Sequence, residues 1–156
     1  MDVSEFLERY GAGVTDFRGA DLSNVALSQC ELSGIDLSRA NLNGASIRNV
    51  DFSEVNFTQA NLQCVCLEQV SFYLSNLIET NFSNATLTEV FIVQSDLSRA
   101  NFRQALLIES ELRDVDLSEA NLIELGIAGG VLKRVNFNGA NLTKAGFEPR
   151  KINKYL

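Results

Sequence analysis

Histidine and tryptophan are absent from this 156-residue chain, and proline occurs once, at Pro149. The commonest general acid–base side chain and the commonest imidazole metal ligand are therefore missing. No serine or cysteine stands at motif spacing from a base, and neither a P-loop nor a dinucleotide glycine pattern occurs. The sequence accordingly reads as non-enzymatic, with no cofactor and no small-molecule substrate. Cysteines are few: Cys30, Cys64 and Cys66 do not make a disulfide framework. Cys64 and Cys66 form a C-x-C pair, but without histidine or another close cysteine two further metal ligands are lacking, so all three read as structural. No apolar run is long enough to span a bilayer, and no basic-plus-apolar leader follows Met1, so the expectation is a soluble, cytoplasmic protein away from membranes. Basic residues are scarce over most of the length, with none between Arg48 and Arg99. Residues 1–132 carry 7 Lys/Arg against 19 Asp/Glu, whereas residues 133–156 carry 6 against 1. A surface of that sign repels phosphate, which argues against direct nucleic acid binding.

What the chain does have is a beat of five. From Phe17 through Leu22, Leu27 and Leu32 to Phe147 and Ile152, every fifth residue is Leu, Phe or Ile, and of these 28 positions 16 are Leu, 8 Phe and 4 Ile. Five residues of α-helix advance by about 500°, so such positions would spiral round the axis. In a strand an odd step sends successive side chains to opposite faces. Neither element buries this pattern. A chain that turns a corner once per five residues does, because every central residue then points to one axis, which is a solenoid.

A second period sets the size of the turn. The residue before the centre is Asp or Asn in 15 of the 28 units, and 14 of these fall in two columns spaced by 20. One column runs Asp16, Asp36, Asn56, Asn76, Asp96, Asp116, Asn136, and the other Asp21, Asn41, Asn61, Asn81, Asn101, Asn121, Asn141. Twenty residues, or four units, therefore make one turn, with about seven turns between residues 15 and 148. At strand spacing this is a rod about 33 Å long. The short Asp and Asn side chains are expected to hydrogen-bond nearby backbone at the turns. The residue two before each centre is mostly small, as in Ala20, Ala40, Ala60, Thr80, Ala100, Ala120 and Ala140, and fits a narrow filled lumen with little room for a ligand.

Units such as Ala40-Asn41-Leu42, Ala60-Asn61-Leu62, Ala100-Asn101-Phe102, Ala120-Asn121-Leu122 and Ala140-Asn141-Leu142 resemble the A(D/N)LXX motif of pentapeptide repeat proteins. The resemblance covers about 130 residues and implies an all-β solenoid, a right-handed quadrilateral β-helix. It implies no single function, since that fold serves several.

The ends depart from the repeat. Within residues 1–14, Asp2 to Tyr10 reads as a helical cap, with Asp2 as N-cap, Glu5 three residues on, and Gly11 as the terminating residue. Val3, Phe6, Leu7 and Tyr10 share one helical face that can cover the first turn. This segment is similar to the N-terminal cap of cyanobacterial pentapeptide repeat proteins. Residues 149–156 read as a short C-terminal cap or tail, and Gly126, Gly129 and Gly130 as a local irregularity near the sixth turn.

Outward positions are polar up to about Ser71 and then break their own rule. Tyr73, Leu74 and Ile78 occur in one turn and Phe91 and Val93 in the next, with Leu106, Ile108 and Ile123 beyond. A contiguous exposed apolar cluster is a candidate contact surface, where scattered residues would not be. Tyr73, Leu74, Ile78, Phe91 and Val93 are thus the candidate site, for an unidentified protein partner or for self-association. The preferred expectation is a non-catalytic scaffold. The alternative, implied by resemblance to Qnr-type members, is a DNA-mimicking modulator of a type II topoisomerase. A third branch, the HetL type, regulates cell differentiation through a protein partner.

Overall fold

The computed structural model describes residues 1–148; the expected C-terminal cap lies outside the described residues. The main chain turns a corner at the second residue after every centre. From Gly19 to Lys144 each of these corner residues has φ between +49 and +72. Five are glycine, and most of the rest are Asn, Asp, Gln, Glu, Arg or Lys. No β-branched residue occupies a corner, as expected of a left-handed conformation that crowds the side chain against its own carbonyl. Four corners close one 20-residue turn, and the described chain makes about six such turns.

The four faces are not equivalent. On the first face, centred on Phe17, Leu37, Phe57 and so on, and on the second, centred on Leu22, Leu42 and Leu62, successive turns meet largely through isolated parallel bridges in the Asp/Asn columns, such as Asp16 to Asp36 and Asp21 to Asn41. The third and fourth faces form the continuous sheet. Strands β1 (Ala26–Glu31) and β2 (Ser46–Asp51) cross the edge between them. Beyond β2, the third face continues through β3 (Cys66–Glu68), β5 (Thr86–Thr88), β7 (Leu106–Ile108), β9 (Gly126–Ala128) and β11 (Gly146–Glu148). The fourth continues through β4 (Ser71–Tyr73), β6 (Phe91–Val93), β8 (Glu111–Asp116) and β10 (Val131–Asn136). All pairings are parallel with a register of 20 residues.

The Asp and Asn columns explain the bridged faces. In all 14 cases the side-chain oxygen accepts a hydrogen bond from the backbone N–H two residues on, from Asp16 with Arg18 to Asn141 with Thr143. A backbone turn follows, with Ala40 N–H donating to Leu37 O at 3.0 Å and Ala60 N–H to Phe57 O at 2.9 Å. With its positive φ at the third position this is a type II turn. On the second face Asn41, Asn61, Asn81 and Asn101 also donate through Nδ2 to the side chain one turn below, at 3.1 to 3.3 Å.

The interior is filled by the centres, with Phe52, Phe57 and Phe72 in mutual contact and Phe82 stacked on Phe102 at 4.7 Å. Ser75, Thr80, Ser95 and Ser110 occupy inward positions and are buried. Ser75 Oγ donates to Phe52 O and Thr80 Oγ1 to Phe57 O, both at 2.8 Å, so these hydroxyls tie one turn to the next. Among the described residues no buried side-chain nitrogen or oxygen lacks a partner.

Helix α1 (Val3–Gly11) closes the first turn. Asp2 Oδ1 accepts from Glu5 N–H at 2.8 Å, Phe6 is 1% exposed with its ring edge-on to Phe17, and Tyr10 Oη donates to Ser33 O. The left-handed terminating glycine is Gly13, not Gly11, which is the last helical residue. Gly13 N–H donates to Tyr10 O and Val14 N–H to Arg9 O, a Schellman ending. The irregularity expected at Gly126 to Gly130 is absent. Gly126 opens β9 in register with Leu106, Gly129 takes an ordinary corner, and Gly130 takes an inward position. At Gly130 a Cβ would meet Ile127 Cγ2 at 2.8 Å and Ser110 O at 3.0 Å.

Candidate protein-interaction surface

Because side chains alternate across each unit, the residues flanking each centre and the corner residue form the exterior. The fourth face therefore carries two outward columns and one corner column. The first reads Glu31, Asp51, Ser71, Phe91, Glu111, Val131; the second Ser33, Ser53, Tyr73, Val93, Arg113, Lys133; the corner Gly34, Glu54, Leu74, Gln94, Asp114, Arg134. The pairing of β4 with β6 sets Ser71 beside Phe91 and Tyr73 beside Val93. Tyr73, Leu74, Phe91 and Val93 thus share two adjacent turns of one face. Tyr73 is 44% exposed, Leu74 51% and Phe91 47%, while Val93 is half-buried. Ile78 lies round the corner from them, half-buried on the first face beside Leu77.

Leu74 is the most informative of the four. Its φ is +52, and it is the only Leu, Ile, Val or Phe among the corner residues. It fills no part of the core, and leucine has no local preference for that conformation. Nothing in the packing explains a leucine there.

Leu106 is 39% exposed and Ile108 half-buried on the third face, across the edge formed by Glu89 and Glu109. The surroundings of the apolar residues, unlike the residues themselves, do not follow from reading the pattern one column at a time. In register along the face, Phe91 has Glu111 on one side and Ser71, with Asp51 beyond it, on the other, while Val93 has Arg113. The nearest basic side chains on these two faces are paired, Arg48 with Glu68 at 2.8 Å and Arg113 with Glu111. An open groove lined by Gln29, Cys30, Glu31, Asp51, Gln69 and Ser71 lies on the turns below.

Elsewhere the corners form vertical polar ladders. Arg39 Nε donates to Gln59, Gln59 Nε2 to Glu79 at 2.7 Å, and Arg99 pairs with Glu79 at 3.0 Å. Arg18 holds the Asp16 carboxyl down to about 2, first by its side-chain hydrogen bonds and then by its backbone N–H. The Asp114 carboxyl is lowered chiefly by its hydrogen bond to Arg134. Cys64 is an exposed corner residue and Cys66 an exposed β3 residue, whereas Cys30 is half-buried, which pushes its thiol up. Among the described residues no group of His, Cys, Asp or Glu is arranged to hold a metal ion. Among them, too, no helix is long and apolar enough to cross a membrane.

A solenoid of five-residue units with Leu/Phe inside and Asp/Asn at the turns belongs to the class of β-solenoid repeat proteins. The chain is a member of the pentapeptide repeat family: eight copies of the family model, described as pentapeptide repeats, match residues 35–72, 75–104 and 95–124, more than half of its length. No curated protein matches it. Among solved structures it is similar to HetL, a pentapeptide repeat protein involved in heterocyst differentiation regulation from the cyanobacterium Nostoc sp. strain PCC 7120. The two are 21% identical over 98% of this chain and 100% of that one, with a TM-score of 0.45. It is also similar to a trypsin-treated form of QnrB1, a plasmid-mediated fluoroquinolone resistance protein. That pair is 17% identical over 83% of this chain and 66% of that one, with a TM-score of 0.53. At such identities the likeness concerns the fold.

Proposed function

We propose that the protein is a non-catalytic scaffold whose fourth face binds a protein partner through Tyr73, Leu74, Phe91 and Val93, with Ile78 on the adjoining face at the margin. The observation that carries this reading is Leu74: an exposed leucine in a left-handed corner serves neither packing nor backbone preference. Its neighbours in register, Tyr73 with Val93 and Ser71 with Phe91, make the departure contiguous. Tyrosine is among the side chains that carry most of the energy of protein interfaces, and the aliphatic neighbours exclude water around it. The test is affinity capture from cell extract with wild type, Leu74→Glu and Phe91→Glu, alongside light scattering for self-association. Both variants should lose the captured species or the dimer; equal behaviour of all three would sink the reading.

A second reading, a DNA-mimicking modulator of a type II topoisomerase, draws on the absence of any basic residue between Arg48 and Arg99. Two of the carboxylates in that stretch are neutralised by flanking arginines, Glu68 by Arg48 and Glu79 by Arg99. This weakens the likeness to a phosphate backbone. A gyrase supercoiling assay separates the readings, since the scaffold leaves supercoiling unchanged at micromolar excess.

A further inference from the structure

Resting on the interaction-surface reading, we infer that the occupant of the fourth face is a second copy of this chain, the two rods lying antiparallel about a two-fold axis between the turn of Tyr73 and the turn of Phe91. Six turns of this face are described, and the apolar residues fall on the third and fourth, its middle. A two-fold axis there lays the two faces over each other along their full described length. It also closes the assembly at two copies, because each patch covers the other.

Side chains alternate in size about that axis. Along one outward column the half-buried Ser71 is followed by the exposed Phe91, and along the other the exposed Tyr73 is followed by the half-buried Val93. Antiparallel superposition therefore sets Phe91 of each copy against Ser71 of the other, and Tyr73 against Val93. A larger side chain meets a smaller one at every one of these contacts, and the exposed apolar surface leaves water.

Charge selects this orientation over the parallel one. Glu111 with Arg113, and Asp114 with Arg134, are ion pairs and cancel within themselves. Among the described residues of the face, the charges outside such pairs are Glu31, Asp51 and Glu54 on the two lowest turns and Lys133 on the highest. In the antiparallel pair Lys133 of each copy comes over the turn of Glu31 in the other, and Arg113 over the turn of Asp51 and Glu54. In a parallel pair the three carboxylates of one copy would face the same three of the other, a juxtaposition that disfavours that alignment. Six turns about 4.8 Å apart and about three extended residues wide give about 300 Å² per copy in projection. That is below a standard interface, so the dimer is a weak one, forming above about 10 μM.

Sedimentation velocity of the full chain between about 1 and 300 μM should show a monomer–dimer equilibrium. Phe91→Ser and Ser71→Phe should each weaken it at least about tenfold, the first by removing a contact and the second by holding the faces apart. Both place side chains that this column already accepts, so thermal melts by circular dichroism should match wild type. Ser71→Phe combined with Phe91→Ser exchanges the two sizes and should restore the wild-type constant within about threefold. Only the antiparallel pairing allows that rescue, since a parallel one would set the enlarged position 71 against Tyr73. A chain that stays monomeric throughout, or a dimer that Phe91→Ser leaves intact, overturns the inference. So does a dimer that Phe91→Ser dissolves and the exchange fails to restore. A monomeric chain whose capture of a different protein is lost with Phe91→Glu overturns the second copy and leaves the interaction-surface reading standing. If Phe91→Glu changes neither self-association nor capture, both fall.

Discussion

At the scale of single residues, the corner position dominates. A left-handed main chain costs about 1–2 kcal/mol for an ordinary side chain, and this fold accepts it once in every five residues. Where glycine supplies the corner, as at Gly19 with φ +67 and no atom near its absent Cβ, Gly19→Ala should lower stability in urea by about 1 kcal/mol through conformation alone. Leu74→Asn should leave stability within about 0.5 kcal/mol of wild type, on the stabilising side, while abolishing partner capture. The pair of results separates a residue kept for structure from one kept for contact. Asn81 accepts from Ser83 N–H and from Asn101 Nδ2 and donates to Asn61. Asn81→Ala should therefore cost about 1–3 kcal/mol, and Asn81→Asp less, because the carboxylate keeps the bond that holds the turn. Asp16 gives a pH prediction. Its carboxyl is depressed from 3.8 to about 2 by Arg18, so its contribution is complete above the ordinary value and is lost as pH falls through about 2. A carboxyl carbon titration should show that midpoint, and Arg18→Ala should return it to the ordinary range.

At the scale of the element, the unit is a turn whose two kinds of corner are encoded differently. Where Asp or Asn precedes the centre, the side chain captures a backbone N–H and successive turns meet mainly by isolated bridges. Where it does not, on the third and fourth faces, ladder hydrogen bonds carry the stacking. This division could be read from the columns alone, because a hydrogen bond that each turn repeats leaves a residue that each turn repeats. The buried hydroxyls could not. Ser75 and Thr80 look like small residues filling a lumen, and only the position of Phe52 O and Phe57 O one turn away shows that they are polar ties. The glycines near the sixth turn misled for the same reason: Gly130 marks crowding by Ile127 and not a loosened turn. Gly130→Ala should cost about 1–3 kcal/mol, and Ile127→Leu, which removes the offending methyl, should recover part of it in a double-mutant cycle.

At the scale of the whole molecule, the rod has one end closed by α1 and a side that is not uniform along its length. The polar ladders of the first and second faces repeat from turn to turn, so they offer a partner no unique address. The fourth face does, because Tyr73, Leu74, Phe91 and Val93 interrupt it over two adjacent turns, with Val131 standing apart from them two turns beyond Phe91. The apolar residues stood out in the sequence as breaks in an outward column. Their surround became visible only when register placed Asp51, Ser71, Phe91 and Glu111 above one another and Arg113 beside Val93. The measurement that tests this most directly is amide hydrogen exchange on the complex with the captured partner. The account predicts added protection confined to residues 71–74 and 91–94; protection instead along the Asp/Asn columns of the first and second faces, with the fourth face unchanged, would contradict it.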